Sequence, residues 1–166
     1  MRFLVYATDL YPKTLRYSCD IAASERQMHM FTKIMVPVDL GHVDQMDKAL
    51  KVAADTAKNC GAEVHIVGVT QSSPTKIART PEKFSEKLSA FAVECSQKYG
   101  AKFEAHTEIS HDPTIDLDAV LTRASDAIGA DLIVMASHKP GLAEYVFASN
   151  AGHLASHSST SVFVVR

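Results

Sequence analysis

From residue 31 onward, short apolar runs alternate with longer segments whose apolar residues recur at helical spacing. An unbroken apolar run suits a strand that is covered on both faces, and the helical segments between the runs can supply that cover. Strands that alternate with helices indicate a parallel sheet with helices on both sides. We therefore predict an α/β fold, a three-layer sandwich with a five-stranded parallel sheet flanked by four helices.

The strand bounds follow from the apolar runs and from the turn residues between them. Pro37 lies near the end of the first run, where the loss of one ladder donor is tolerated. The predicted strands are Lys33 to Asp39, Glu63 to Val69, a third with Phe103, Ala105, Thr107 and Ile109 on one side, Asp131 to Ala136, and Val162 to Val165.

Capping residues and glycines mark the predicted helix ends. The helices begin at Asp44 as an N-cap, at Thr80 followed by Pro81, at Asp112 followed by Pro113, and at Ser149, and the last ends at His157; Gly61, Gly100 and Gly129 end the first three. The buried faces are predicted to be Met46, Leu50, Ala53, Ala54 and Ala57 in the first helix, Phe84, Leu88, Phe91, Cys95 and Tyr99 in the second, and Leu117, Val120, Leu121, Ala124 and Ile128 in the third.

Composition limits the class of protein. A chain of 166 residues suits one full domain, and its formal net charge of −2 lacks the clustered cations of a nucleic-acid surface. The three cysteines lack C-x-x-C spacing, which favours a reducing compartment over a disulfide framework. Since no apolar run approaches the roughly 20 residues that cross a bilayer, we expect a cytoplasmic protein with no membrane partner.

Residues 1–29 do not follow the alternating pattern. We interpret them as an extension outside the core or as an overlong gene start, with the domain itself spanning 30–166. The alternative is a real arm that adds an edge strand or covers a dimer.

The segment from Asp131 to Asn150 combines a buried strand, a loop of small and polar residues, and a helix that begins near Ser149. At such a helix N-terminus, backbone N–H groups converge on an anion. The segment therefore predicts a phosphate site.

Three segments carry a resemblance to a known family. They are the strand end Met135-Ala136-Ser137-His138, the helix start Ala148-Ser149-Asn150, and the final strand Val162-Phe163-Val164-Val165-Arg166. Together they resemble the C-terminal half of the universal stress protein (UspA) family. The resemblance implies an adenine nucleotide alpha hydrolase-like, Rossmann-like fold and a stress-linked protein that binds adenine nucleotides.

The family's nucleotide signature has Gly, two residues, Gly, nine residues, Gly, and then Ser or Thr. Here Ala136, Lys139 and Ala148 stand in the glycine places, the second gap is the eight residues 140–147, and the hydroxyl is retained as Ser149. Glycine lets the backbone approach a phosphate closely and permits positive φ. Ala136 adds only a methyl group, which is tolerated where φ is negative, whereas Lys139 adds a bulky side chain. Lys139 adds a cation that can bond to phosphate, or it is a solvated loop lysine.

The resemblance implies a set of ligand contacts at the carboxyl ends of the strands, where such sheets bind ligands. Asp39 would contact the nucleoside part of ATP or another adenine nucleotide, with or without Mg²⁺, and the backbone of Val69 would contact adenine. The alternative role for Asp39 is to cap the turn after its strand. The full predicted set is Pro37, Val38, Asp39, Val69, Met135, Ala136, His138, Lys139, Ala148, Ser149 and Asn150.

Histidines and hydroxyls do not form a catalytic pattern. Ser137 and His138 are adjacent, and neighbouring residues seldom hold the geometry of a nucleophile and its base. His153 and His157 share a helix face but have no carboxylate or cysteine at ligand spacing. We therefore expect no catalytic residues, no metal site and at most very slow ATP hydrolysis.

The final strand, Val162 to Val165, is short and apolar, and an edge strand of this kind is a liability unless it is paired. The resemblance implies that it pairs with its twin in a homodimer.

Two main functions stay open: a nucleotide-binding module that signals to an unknown protein partner, and a dimeric scaffold that has lost nucleotide binding. An ATP-cleaving or adenylate-transferring enzyme is a third.

Overall fold

The computed structural model describes residues 30–136, 152, 154–156 and 158–166. Its five strands form one sheet in the order β3-β2-β1-β4-β5, and every neighbouring pair is parallel. The strands are β1 (Lys33–Val38), β2 (Glu63–Gln71), β3 (Phe103–Ser110), β4 (Leu132–Ala136) and β5 (Ser161–Val165).

The helices connect the strands in the predicted alternation. They are α1 (Asp47–Cys60), α2 (Pro81–Tyr99) and α3 (Pro113–Ile128), and residues 152 and 154–156 are also helical. Thr80 caps α2 by accepting a hydrogen bond from the Lys83 amide at 3.4 Å, as its sequence position predicts. Among the described helices, none is long and apolar enough to cross a membrane.

The sheet separates two cores, which confirms the three-layer architecture. One core packs α1 and α2 against Ile34, Val36, Val64, Ile66 and Val134. The other packs α3 and Leu154 against Met35, Val67, Ile133 and Met135. Alternate residues of each strand therefore enter opposite cores, and the continuous apolar runs in β1 and β4 follow from this double burial.

Helix α1 differs from its prediction at the start. Asp44 lies within a 3₁₀ turn, Val43–Met46, and α1 then begins at Asp47 without a side-chain cap. The predicted N-cap at Asp44 is therefore wrong. Met46 is 2% exposed, as predicted for the buried face, but it lies at the end of the 3₁₀ turn and not within α1.

Strand β2 is longer than predicted. It continues past Val69 because Thr70 pairs with Ile109 and Gln71 pairs with Ser110 on β3. Thr70, which lies just beyond the predicted end of the strand, is also buried. Pairing with β3 thus determines where β2 ends. β3 begins more than 30 residues after the end of β2 in the sequence.

Gly68 brings β2 into close contact with α2. A Cβ atom at this position would lie 2.8 Å from Cε1 of Phe84 and 3.0 Å from Cδ2 of Leu88. Both side chains are buried, so they have little room to move away. A glycine in the middle of this strand is therefore a packing requirement.

The amino ends of β1 and β4 are joined by the side chain of Asp131. One carboxylate oxygen accepts hydrogen bonds from the Thr32 amide and hydroxyl, both at 2.7 Å, and the other accepts from the Lys33 amide at 3.1 Å. The Asp131 amide donates to the Lys33 carbonyl at 3.0 Å. Partial burial would raise the pKa of Asp131, but these hydrogen bonds outweigh it and hold the pKa below its ordinary value.

We expect Asp131→Ala to lower the free energy of unfolding by about 2 kcal/mol at pH 7, since three hydrogen bonds to a carboxylate are lost. The folded-state pKa of Asp131 lies below its unfolded value of about 3.9. The ionic contribution is therefore complete above that pH and is lost as the pH falls through the folded-state pKa.

Urea denaturation of the wild type and the variant at pH 7 and at pH 3 measures this difference. The matched control is Asp55→Ala, which removes an exposed ion pair with Lys51 on α1 and should change stability by less than about 0.5 kcal/mol. The stabilising role of the Asp131 hydrogen bonds would be contradicted if Asp131→Ala lost no more stability than the control. It would also be contradicted if the loss were no smaller at pH 3 than at pH 7.

Candidate functional site

The order of the strands reverses between β1 and β4. Chain connections from β1 run to β2 on one side of the sheet, whereas β4 lies on the other side. The ladder between these two strands joins Ile34 to Leu132 and Met35 to Ile133, close to their amino ends. A sheet of this kind binds ligands in the crevice outside the carboxyl ends at this switch point. Asp39 follows β1 directly and enters that region.

Asp39 directly follows β1, and its carboxylate is held by its own turn. Oδ1 accepts a hydrogen bond from the Gly41 amide at 2.8 Å, and Oδ2 lies 2.8 Å from Nδ1 of His42. The Asp39 carbonyl also accepts from the His42 amide at 3.1 Å. The capping role that the sequence left open is therefore present. One third of the side chain remains exposed, and each carboxylate oxygen has a further lone pair for a ligand.

The segment that follows β2 forms one wall beside this turn. Ile77 packs against the core on the side of α1 and α2, and its Cδ1 atom lies 3.5 Å from where a Cβ atom of Gly41 would be. The segment is closed by Thr75, whose amide donates to the Ala78 carbonyl at 2.8 Å. Lys87 of α2 donates to the Ile77 carbonyl at 2.5 Å. These bonds fix the wall next to Asp39.

Main chain of β2 lines the same region. The last pair between β1 and β2 is Val38 with Gly68, and β2 continues for three residues beyond it, to Gln71. From Val69 onward, the side of β2 that faces away from β3 is not paired with β1. This stretch of strand edge offers backbone groups to a planar ligand, which is the contact that the resemblance implies for Val69.

The structure brings the other described members of the predicted set to the same edge of the sheet, but not with free side chains. Pro37 and Val38 end β1, and Met135 and Ala136 end β4; all four are buried. Val69 is half-buried and packs with Met135 in the core beneath α3, whereas Ala136 belongs to the opposite core. A ligand would therefore meet these residues through their main chain.

The remaining predicted contacts lie outside the described residues. They are His138, Lys139, Ala148, Ser149 and Asn150, together with the neighbouring Ser137, the histidines His153 and His157, and residues 1–29. The loop and helix start that were predicted to hold phosphate thus stay a prediction.

A second polar group was missed by sequence reasoning. His65 of β2 lies beside Glu104 and His106 of β3, on the face of the sheet that α3 covers. His65 and His106 are 41 residues apart, so no short motif joins them. The available signal was the alternation within β3, which places residues 104 and 106 on one face, but only the strand register adds His65 to them.

Comparison with known proteins agrees with this architecture. Residues 30–166 match the family model described as "Universal stress protein family". Universal stress protein G of Shigella flexneri is 27% identical over 153 residues, which cover 82% of this chain and all of that protein. Two solved structures share the fold. A universal stress protein in complex with cAMP has a TM-score of 0.60 at 19% identity, covering 82% of this chain and 97% of its own.

The second structure is the universal stress protein of Archaeoglobus fulgidus in complex with dAMP. Its TM-score is 0.59 at 21% identity, and the match covers 81% of this chain and 98% of that one. Both similar structures are therefore complexes with an adenine nucleotide.

Proposed function

This chain belongs to the universal stress protein family, and we propose that it works as an adenine-nucleotide binding module rather than as an enzyme. The observation that carries the proposal is the partly exposed carboxylate of Asp39 at the switch point between β1 and β4. The cAMP and dAMP complexes of similar proteins indicate the chemical class of the ligand.

In this proposal, the nucleoside binds between Asp39 and the unpaired edge of β2. Ribose hydroxyls donate to the free lone pairs of the Asp39 carboxylate, and the adenine ring contacts the main chain from Val69 onward. Hydrogen bonds to a carboxylate are stronger than those to neutral acceptors, so this contact would contribute about 1.5–3 kcal/mol. The turn at Gly41 and His42 already holds the carboxylate, which lowers the entropy cost of binding.

The phosphates would lie farther along the crevice. Ser149 and Asn150 at the predicted helix start offer backbone N–H groups and a hydroxyl, and Lys139 supplies a cation. A nucleotide that holds this loop in one conformation would shift its population, and a protein partner could then recognise that surface. The stress-response role and a cytoplasmic location belong to this proposal.

Binding without rapid turnover fits the groups at the crevice. Phosphoryl transfer requires an oriented nucleophile and groups that neutralise charge as it develops. The carboxylate that the described part of the crevice contributes is Asp39, and it already bonds to Gly41 and His42. We therefore propose at most slow hydrolysis.

One observation favours the alternative, a dimeric scaffold without nucleotide. Ala136 stands where the family signature has its first glycine, and it is 8% exposed with its methyl group in the core. The methyl thus occupies space that a glycine would leave open. A measurement of ATP binding distinguishes the nucleotide-binding module from the scaffold.

We also propose a homodimer formed by β5. This strand is at the edge of the sheet, paired on one side with β4. Its Phe163 side chain is 49% exposed, so pairing with a second copy would bury it. A two-fold axis would place the same strand of each subunit side by side.

ATP is expected to raise the melting temperature of the wild-type protein, because a ligand that binds the folded state alone stabilises it by about 2.7 kcal/mol at 100 times its Kd. Asp39→Ala should weaken ATP binding about 10-fold or more, measured by calorimetry, since a charge-assisted contact is lost.

Two control variants separate the carboxylate from the turn that holds it. Asp44→Ala removes an exposed carboxylate five residues away in the 3₁₀ turn and should leave the affinity unchanged. His42→Ala frees Oδ2 of Asp39 and should retain binding. A wild-type protein without ATP-dependent stabilisation would contradict the nucleotide proposal and favour the scaffold function. If Asp39→Ala binds ATP as tightly as the wild type, the site is elsewhere.

Phe163→Glu is expected to convert a dimer into a monomer in light scattering, because it would place like charges near one another across the two-fold axis. The matched control is Ile109→Glu on the other edge strand, β3, where the side chain is also 49% exposed. That variant should stay dimeric. A wild-type protein that is monomeric at micromolar concentration would exclude this interface.

A further inference from the structure

Three potential metal ligands lie together on the face of β2 and β3 that α3 covers. Nδ1 of His65 is 2.9 Å from Nε2 of His106 and 3.7 Å from Oε2 of Glu104. Each of the three residues offers one ligand atom, and these three atoms all lie within 4.8 Å of one another. The register of the two strands produces this arrangement, because His65 is the partner of Glu104 and Val67 is the partner of His106.

The buried His65 ring has a nitrogen with no hydrogen-bond partner. The residue is 4% exposed, and its Nε2 atom is fully buried without a bond. An unsatisfied buried polar atom costs free energy, and such an atom in a native fold points to a missing interaction. Oε2 of Glu63 lies 3.5 Å from this nitrogen, which is too far for a good hydrogen bond. A small rotation of the Glu63 side chain would bring the two atoms within hydrogen-bond distance.

The two distances from Nδ1 of His65, 2.9 Å to His106 and 3.7 Å to Glu104, are close to those of a tetrahedral site. Zinc binds imidazole nitrogen and carboxylate oxygen at about 2.0–2.2 Å, which places neighbouring ligand atoms about 3.3 Å apart in a tetrahedron. The distance from His65 to His106 needs to widen by a few tenths of an ångström, and the distance from His65 to Glu104 needs to shorten by a similar amount. Side-chain rotations of this size leave the strands in place.

We propose that His65, His106 and Glu104 bind a divalent transition-metal ion of the zinc class, with Nδ1, Nε2 and Oε2 as the ligand atoms. Two imidazoles and one carboxylate are a ligand set that suits Zn²⁺ and leaves a fourth position for water. The edge position of β3 and the exposure of Glu104, whose side chain is 39% exposed, give the ion a path to the site.

The residues around these ligands support the assignment. When Nδ1 of His65 binds the ion, the ring proton is on Nε2, and Glu63 is placed to accept it, as outer carboxylates do for metal-bound histidines. The ammonium of Lys102 bonds to Oε1 of Glu104 at 2.5 Å, which leaves Oε2 for the ion. Burial and the neighbouring His106 ring lower the pKa of His65, which favours the neutral form of the ring.

Charges near the site are balanced. Glu63 and Glu104 are anionic, and Lys102 and Lys33 are cationic. The ammonium of Lys33 donates to the Ile128 carbonyl at the end of α3, at 2.9 Å, so it is held by another partner. An ion at this site would join the edge strand β3 to β2 near their amino halves, away from the crevice at the carboxyl ends. Its binding is therefore independent of nucleotide.

Isothermal calorimetry of the full chain with ZnCl₂ tests the proposal. The wild type is expected to bind one equivalent that is lost in His106→Ala and in Glu104→Gln. Glu63→Gln should keep the equivalent but weaken it about 10-fold, the usual effect of removing an outer-shell partner. Co²⁺ in place of Zn²⁺ should give the visible absorption of a tetrahedral ion in the wild type and not in the two ligand variants.

The chain has other histidines, so matched controls are needed. His111→Ala removes an exposed histidine just after β3, and the double variant His153→Ala, His157→Ala removes the pair that shares a predicted helix face. Both should keep the bound equivalent. Melting curves without metal show whether each variant folds, and Glu104→Gln serves if His106→Ala does not.

Two results would overturn the site. One is a wild-type protein that binds no Zn²⁺. The other is an equivalent that survives in His106→Ala and Glu104→Gln, or that is lost in the His153 and His157 double variant. Neither result bears on the nucleotide proposal, because ATP-dependent stabilisation is measured in metal-free buffer.

Discussion

The hydrogen bonds of Asp131 hold together the two central strands on which the rest of the structure depends. They tie the amino end of β4 to Thr32 and Lys33 at the start of β1. Between these strands the chain order reverses, so no direct connection joins them. A carboxylate that bonds to both a hydroxyl and two backbone amides replaces the missing connection, and its lowered pKa reflects the same bonds.

With the amino ends held, the carboxyl ends of β1 and β4 are where the chain can diverge into loops. β1 turns at Asp39, β2 runs on beyond the last residue it shares with β1, and the segment around Ile77 packs against the Asp39 turn. One place thus combines the carboxylate of Asp39, the unpaired edge of β2 and the segment around Ile77. The same edge of the sheet carries Ala136, which replaces a signature glycine and packs its methyl group in the core.

Sequence periodicity predicted the parts of the fold that depend on local chemistry. The stripes in α1, α2 and α3 and the glycine ends at Gly61, Gly100 and Gly129 required only spacing and the ability of glycine to adopt positive φ. The burial of Met46 was predicted, but the 3₁₀ turn that contains it was not. The extra length of β2 was not predicted because pairing with the distant strand β3 determines it. Tertiary contacts of this kind leave no signal in a window of neighbouring residues.

In the candidate site, too, the sequence predicted what depends on local chemistry and missed what depends on tertiary contacts. Asp39 was found because it directly follows an apolar run, and its capping bonds were anticipated as one of two roles. The group formed by His65, Glu104 and His106 was missed because it exists only once two strands are aligned. Polar residues inside strands were assigned to no function, yet the register places two imidazoles and a carboxylate within 4.8 Å of one another.

A crystal structure grown in excess ATP tests the central claim most directly. The account predicts density for an adenine nucleotide at the carboxyl ends of β1 and β4, with a ribose hydroxyl within hydrogen-bond distance of the Asp39 carboxylate and the base against main chain beyond Gly68. A crevice that stays closed by Ala136 and the Asp39 turn, or a nucleotide bound elsewhere on the surface, would contradict it.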